Sequence, residues 1–129
     1  MIDLEIDEAR RLARIVLDGA IEDRDVISWW TDEFMPALEG RAGLHGLIDA
    51  RAIGDFDMST HGVRRVVELA AESRAAIEGT CWAIVAVSDA VFGMARMYEM
   101  SCAEQPFEIR VFREVEAARA WLDAALAAT

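Results

Sequence analysis

The amino-acid sequence predicts a single α/β domain in which helices pack on a mixed, mostly parallel sheet of about five strands. Its 129 residues suit one hydrophobic core. Its composition, 54% hydrophobic and 29% charged residues, is typical of a folded globular domain. Apolar patterns with the periods of strands and of helices alternate along the chain in the order β-β-α-β-α-β-α-β-α. We therefore expect residues 1–129 to form one domain.

The first two strands are predicted to form an antiparallel hairpin. Ile2, Leu4 and Ile6 alternate with acidic residues, which is the pattern of an edge strand with one buried face. After a short polar turn, residues 12–17 form a more apolar run that ends at Asp18 and Gly19. This run should be the second, more buried strand.

The first helix is predicted to begin at Asp23 or Asp25, because either carboxylate can cap the free N–H groups of the first turn. Pro36 removes a backbone donor, so this helix should kink or restart near Met35. The apolar face of the helix carries Val26, Trp30, Phe34 and Leu38.

Residues 44–50 are predicted to form the third strand, and residues 54–57 the loop that follows it. A second helix should come next and extend to Ile77, with charged residues facing water. Its apolar stripe is formed by Val63, Val66, Val67, Ala70 and Ile77.

The remaining elements should be strand, helix, strand and helix. Residues 81–87 are apolar at every position, as expected for a central parallel strand covered on both faces. Ser88 and Asp89 can cap a third helix that reaches to about Cys102. Residues 107–112 alternate as a final strand, and helical crossovers should make the later strands parallel. The last helix has its apolar stripe at Val115, Ala118, Leu122 and Ala125.

The charge and hydropathy of the chain argue against two kinds of partner. The net charge is −11, and no basic patch is available to contact a phosphate backbone, so we expect no nucleic-acid binding. The longest apolar stretch, residues 81–87, is far too short to span a bilayer. The acidic N-terminus does not look like a secretory signal, so a cytoplasmic location is expected.

The sequence gives little support for a cofactor or a metal. Cys81 and Cys102 are expected to be buried free thiols rather than a disulfide. Together with His45 and His61 they have no metal-ligand spacing, so we predict no metal site on them. The chain has neither a glycine-rich phosphate loop nor a nucleophile elbow, and we expect no cofactor and no enzymatic activity.

Three stretches carry a resemblance to a known family: residues 47–51, residues 92–98, and residues 111–113 together with 116–122. They resemble the SpoIIAA-like family of small bacterial proteins, also described as STAS/SEC14 proteins. The resemblance implies a small α/β domain without established enzymatic activity that acts as a regulatory or binding module. The partners to expect are another protein, a second copy in a homodimer, or a small apolar ligand such as a lipid.

A looser similarity reaches the anti-sigma factor antagonists, which carry a phosphorylated serine in the motif Met-Asp-Ser-Ser-Gly-Leu. The matching residues here are 58–63, in which Thr60 takes the phosphorylated position. Ser59 and His61 replace the Asp and the second Ser of the motif. Thr60, with Ser59 beside it, is therefore a possible phosphorylation site at a helix N-terminus. Ordinary helix capping by both residues is the alternative explanation.

Four polar residues are predicted near the carboxyl end of the third strand, which is the edge where parallel sheets bind ligands. They are Asp49, Asp55, Asp57 and His61. Such a set suits a hard cation or acid–base chemistry, and an enzyme or metal site built on it is an alternative function. Aspartate is also common in turns, so turn formation is the competing explanation.

A possible binding face lies on the third helix, where methionines recur every three residues. Methionine surfaces adapt to varied apolar partners, so a lipid-like pocket or a dimer contact is one interpretation of this helix. A soft core stripe that packs on the sheet is the other, and the pattern favours it. Gly93 interrupts the helix, which suggests that something lies close to it. Trp29 and Trp30 should not both face one core, so one of them should be partly exposed. The residues of this face are Met94, Arg96, Met97, Tyr98 and Trp29.

Overall fold

The computed structural model describes residues 1–128. Its strands are β1 (Ile2–Asp7), β2 (Leu12–Glu22), β3 (His45–Asp57), β4 (Cys81–Val85) and β5 (Glu108–Phe112). Its helices are α1 (Asp23–Trp29), a π-helical turn (Trp30–Phe34), α2 (Met35–Leu38), α3 (Thr60–Glu72), α4 (Arg74–Ile77), α5 (Asp89–Ser101) and α6 (Val115–Ala127).

The strands form one sheet in the order β1-β2-β3-β4-β5, which confirms the predicted mixed, mostly parallel sheet. β1 pairs with β2 in the predicted antiparallel hairpin. Every later neighbour is parallel, because each strand from β2 onward is joined to the next by helices that cross over the sheet. The sheet order therefore follows the chain order from one edge to the other.

Helices cover both faces of the sheet. Side chains of β4 alternate between the faces: Trp82 belongs to one core, and Ala83 and Val85 belong to the other. On the second face, α6 packs on the sheet through its apolar stripe. On the first face, α1, the π-helical turn and α3 build the larger core. The α6 contacts on the second face are made by Val115, Ala118 and Leu122.

Two strands are longer than the sequence predicts. β2 continues past Gly19 to Glu22, and β3 continues past Ala50 to Asp57, so the predicted loop at residues 54–57 is wrong. The extra segments pair with each other, with Gly19 opposite Ile53, and so satisfy their own backbone hydrogen bonds. Two register shifts in β2 interrupt the alternation on which the prediction depended.

The first helical region restarts at Met35 as predicted, but a π-helical turn precedes this restart. The prediction that Trp29 or Trp30 is partly exposed is wrong, because their side chains are only 7% and 8% exposed. Trp29 and Phe34 are five residues apart, which is the hydrogen-bond spacing of a π-helix, and their stacked rings have centroids 5.0 Å apart. Trp30 meets the same Phe34 ring edge-on at 4.9 Å. The wider turn thus brings both indoles into one core.

The predicted second helix is divided at Ser73 into α3 and α4. Ser73 donates its hydroxyl to the Leu69 carbonyl at 2.8 Å and accepts the indole N–H of Trp30 at 3.1 Å. At this break, a buried hydroxyl lies next to a buried indole, so both polar groups are hydrogen-bonded inside the core. Within residues 1–128, no helix combines the length and apolar character that crossing a membrane requires.

Candidate functional site

An apolar cavity of about 140 Å³ lies beneath α5. α5 contributes Met94, Ala95 and Tyr98 to its wall, and the sheet contributes Trp82 and Ile84 from β4. Its lining is aliphatic and aromatic throughout. The remaining wall residues come from β1, β2, β3, β5, α1, the π-helical turn, α3, α4 and the connection between β3 and α3. They include Ile2, Leu17, Trp29, Phe34, Ile53, Phe56, Met58, Val63 and Ile109.

The cavity lies beneath α5, the helix under which a lipid-like pocket was one of the interpretations. Its volume, however, is too small for a lipid. A carrier of lipid-sized ligands needs roughly 300 Å³ or more. The observed cavity has about half that volume. It suits an occupant of roughly the size of benzene.

The predicted binding face is divided between the interior and the surface. Met94, Tyr98 and Trp29 line the apolar cavity. Arg96 and Met97 instead line a shallow surface depression together with Met100, Gly93 and Ser101. Arg96 donates to the Glu99 carboxylate at 2.7 Å. A Cβ placed at Gly93 would meet no atom of the described residues within 4 Å, so the space beside this glycine is open.

Polar groups in the cavity wall are few, and all but one have partners. The Tyr98 hydroxyl is hydrogen-bonded to Cys102, and burial raises the pKa of this phenol well above its usual value. Burial also raises the pKa of the Cys102 thiol, to about 11, so this thiol is protonated at neutral pH. Cys102 and Cys81 are both free, as predicted. The exception is the indole N–H of Trp29, which has no acceptor among the described residues.

The possible phosphorylation sites stand at the start of α3. Ser59 caps the helix: its hydroxyl accepts the Gly62 N–H at 3.0 Å and donates to Asp23 at 2.6 Å. The Ser59 N–H donates to the same carboxylate at 2.9 Å. Thr60 is the first residue of α3 and is exposed. Both residues are exposed, and they differ in that the Ser59 hydroxyl is engaged in capping α3.

The four polar residues predicted at the end of the third strand have separate environments. Asp49 is 7% exposed and is held by Arg51, whose Nε and Nη2 donate to its two oxygens at 2.9 and 2.8 Å. Arg51 holds the pKa of Asp49 below its usual value. Asp55 and Asp57 lie within β3 rather than in a loop, and His61 lies in α3. Across residues 1–128, no group of three or more His, Cys, Asp or Glu side chains is arranged to hold a metal ion.

His45 is a buried histidine with a structural partner. It is 2% exposed, and its Nδ1 accepts the Cys81 N–H at 2.9 Å, which ties β3 to β4. Burial, and secondarily the positive charge of Arg11, lower the pKa of His45. The imidazole is thus held neutral as an acceptor.

Sequence reasoning missed a second concave feature, a cleft of about 180 Å³ beside the apolar cavity. Ile2 and Trp29 line both, so they form the wall between them. The cleft is acidic, with Asp25, Asp32 and Glu33 among its residues. The acidic N-terminal third of the sequence gave a signal for negative charge there, but no signal for a cleft.

Comparisons with known proteins agree with this architecture. No protein-family model matches the chain, and no curated protein matches it. Among solved structures, it is similar to an uncharacterized protein of the DUF3478 family with a SpoIIAA-like fold from Shewanella loihica PV-4. The two are 19% identical, the match covers 95% of this chain and 92% of that one, and the TM-score is 0.64. The protein described here therefore has the SpoIIAA-like fold.

Proposed function

We propose that this protein is a non-enzymatic binding module that takes a small apolar molecule into the cavity beneath α5. The observation that carries the proposal is the cavity itself, about 140 Å³ in volume and walled by aliphatic and aromatic side chains. Engineered cavities of about this size with a similar lining stay dry and bind benzene or xenon. The driving force would be removal of the ligand's apolar surface from water.

The chemistry of the wall supports binding rather than catalysis. Among the described residues, those that line the cavity include no aspartate, glutamate, histidine, lysine or arginine. Tyr98 is the ionisable member of the lining, and its raised pKa keeps it protonated at neutral pH. General acid–base catalysis uses a group whose pKa lies near the working pH, and nucleophilic catalysis uses an activated nucleophile. The cavity wall supplies neither.

Toluene titration tests the proposed function. We expect toluene to shift the NMR signals of cavity-lining methyl groups, including those of Ile84 and Met94. Ala95→Leu places extra carbon atoms inside the cavity and should weaken toluene binding at least about tenfold, since the ligand and the new side chain compete for the same space. Ala90→Leu is the matched control, because Ala90 is an exposed residue of the same helix. It should leave the toluene affinity unchanged.

Two results would contradict this function: no toluene binding by the wild-type protein, or equal binding by the Ala95→Leu variant. A circular-dichroism spectrum of each variant checks that the fold is retained, because loss of binding through unfolding is a different outcome.

A phosphorylation switch at Thr60 is the second candidate function. It is supported by the exposure of Thr60 at the start of the 13-residue helix α3, where the helix dipole favours a phosphate group. Intact mass of the protein purified from its own host should show a phosphate that maps to Thr60 and is absent from Thr60→Val. A wild-type protein without added mass under every growth condition would argue against the switch.

A further inference from the structure

Three buried indoles lie around the apolar cavity, and they differ in one respect. Trp30 donates its Nε1–H to the Ser73 hydroxyl at 3.1 Å, and Trp82 donates to the Thr80 hydroxyl at 2.9 Å. Trp29 is equally buried, at 7% exposed, but its Nε1–H has no acceptor among residues 1–128. Buried polar groups in folded proteins are rarely left unpaired, because an unpaired donor loses its hydrogen bonds to water without replacement.

The position of Trp29 connects this donor with a ligand. Its ring belongs to the wall of the apolar cavity and also to the wall of the acidic cleft. A molecule in the cavity therefore contacts Trp29. The other polar group of the lining with a hydroxyl, Tyr98, is already hydrogen-bonded to Cys102. Trp29 is thus the residue of this wall whose donor the described part of the protein leaves unpaired.

The charges near Trp29 determine which acceptors suit this donor. Asp25, Asp32 and Glu33 line the cleft to which Trp29 also belongs. The α-amino group of Met1, the cation of this cleft, donates to the Asp18 carbonyl at 2.7 Å. A carboxylate or phosphate on the ligand would face these acids and would lose its hydration in an apolar cavity without a cationic partner. An uncharged oxygen avoids both costs.

We propose, building on the apolar binding function above, that the natural ligand is a small uncharged molecule with one hydrogen-bond acceptor, such as a ketone, aldehyde, ester or ether oxygen. Its apolar part occupies the cavity, and its oxygen accepts the indole N–H of Trp29. This pairing satisfies the donor that the fold leaves unpaired, and it discriminates against anionic amphiphiles.

Three probes with equal numbers of non-hydrogen atoms test this inference: α-methylstyrene, acetophenone and benzoate. The first lacks an acceptor, the second has a neutral one, and the third is an anion. In the wild-type protein, acetophenone should move the Nε1–H signal of Trp29 downfield in an ¹H–¹⁵N spectrum, whereas α-methylstyrene should not. Benzoate should not bind. The Trp29 signal is assigned as the indole signal that disappears in Trp29→Phe.

The affinity ratio of the two neutral probes provides the quantitative test. Trp29→Phe keeps an aromatic ring in the wall and removes the donor. It should therefore lower the affinity for acetophenone about tenfold relative to the affinity for α-methylstyrene. Trp30→Phe is the matched control, because Trp30 also lines the cavity but its N–H is bonded to Ser73. It should leave that ratio unchanged. If Trp29→Phe does not fold, the indole shift in the wild-type protein decides the question.

The outcomes distinguish a wrong ligand class from a wrong binding function. Binding of α-methylstyrene without any acetophenone-dependent shift of the Trp29 signal, or with tight binding of benzoate, would overturn the ligand class and leave the apolar binding function standing. Failure of both neutral probes to bind would overturn the binding function itself.

Discussion

Asp49 is a buried carboxylate held by three donors of one arginine. The backbone N–H, Nε and Nη2 of Arg51 all donate to it, at 3.1, 2.9 and 2.8 Å. Asp49→Asn removes the charge from this arrangement, and we expect a loss of about 2 kcal/mol in the free energy of unfolding at pH 7. Asp55→Asn is the control, because Asp55 is exposed. Urea denaturation of the two variants and the wild type measures the difference.

The stabilisation by Asp49 should depend on pH in a defined direction. Its pKa in the folded protein lies below the ordinary value of 3.8. The unfolded chain therefore binds the proton first, so the contribution is complete above about pH 5 and is lost as the pH falls through 3.8 and below. The difference in the free energy of unfolding between the wild type and Asp49→Asn should be smaller at pH 3 than at pH 7. A gap of constant size would show that the carboxylate charge is unimportant.

His45 should make the protein acid-sensitive in a higher pH range. Its pKa in the folded protein is below the ordinary value of 6.5. The unfolded state binds the proton more readily, and stability is lost as the pH falls below about 6.5. His45→Asn keeps an acceptor near the Nδ1 position but cannot titrate. Between pH 7 and pH 5, thermal unfolding temperatures should decrease for the wild type and stay nearly constant for this variant.

At the scale of elements, two glycines have opposite roles. Gly46 in β3 lies opposite Trp82 in β4, and a Cβ at Gly46 would overlap the Trp82 ring. Gly93 in α5 has open space around it. Gly46→Ala should therefore lower the free energy of unfolding by about 2 kcal/mol, because the added methyl group overpacks the core. Gly93→Ala should raise the free energy of unfolding by about 1 kcal/mol, because alanine has the higher helix propensity. Urea midpoints measure both changes, and destabilisation by Gly93→Ala would contradict the open surroundings described here.

The elements themselves were largely predictable, and the errors have physical causes. Strands such as residues 2–7 and helices such as α6 follow simple apolar periods, which the sequence displays directly. The length of β3 was underestimated because residues 51–57 gain their backbone partners from β2, which is a long-range pairing. The π-helical turn was missed because one extra residue per turn leaves no compositional signal, and this turn is what buries Trp29.

At the scale of the whole molecule, the SpoIIAA-like fold was predictable and the cavity was predictable only in part. The methionine helix indicated the place, since Met94 and Tyr98 line the cavity. Its volume depends on how side chains from nearly every element meet, which no local pattern encodes. The same packing leaves the indole N–H of Trp29 without a partner. The indole N–H groups of Trp30 and Trp82 instead have the hydroxyls of Ser73 and Thr80 as acceptors, and no local sequence pattern predicts these contacts.

The cavity has a further consequence under hydrostatic pressure. A cavity of about 140 Å³ corresponds to about 80 mL per mole, and the volume decrease on unfolding scales with such internal space. Compression therefore favours the unfolded chain, and pressure should denature this protein more readily than a fully packed domain of equal thermal stability. Any occupant that fills the space removes most of that volume difference. The pressure at which the protein unfolds would then show whether the cavity is filled, even when the ligand is unidentified.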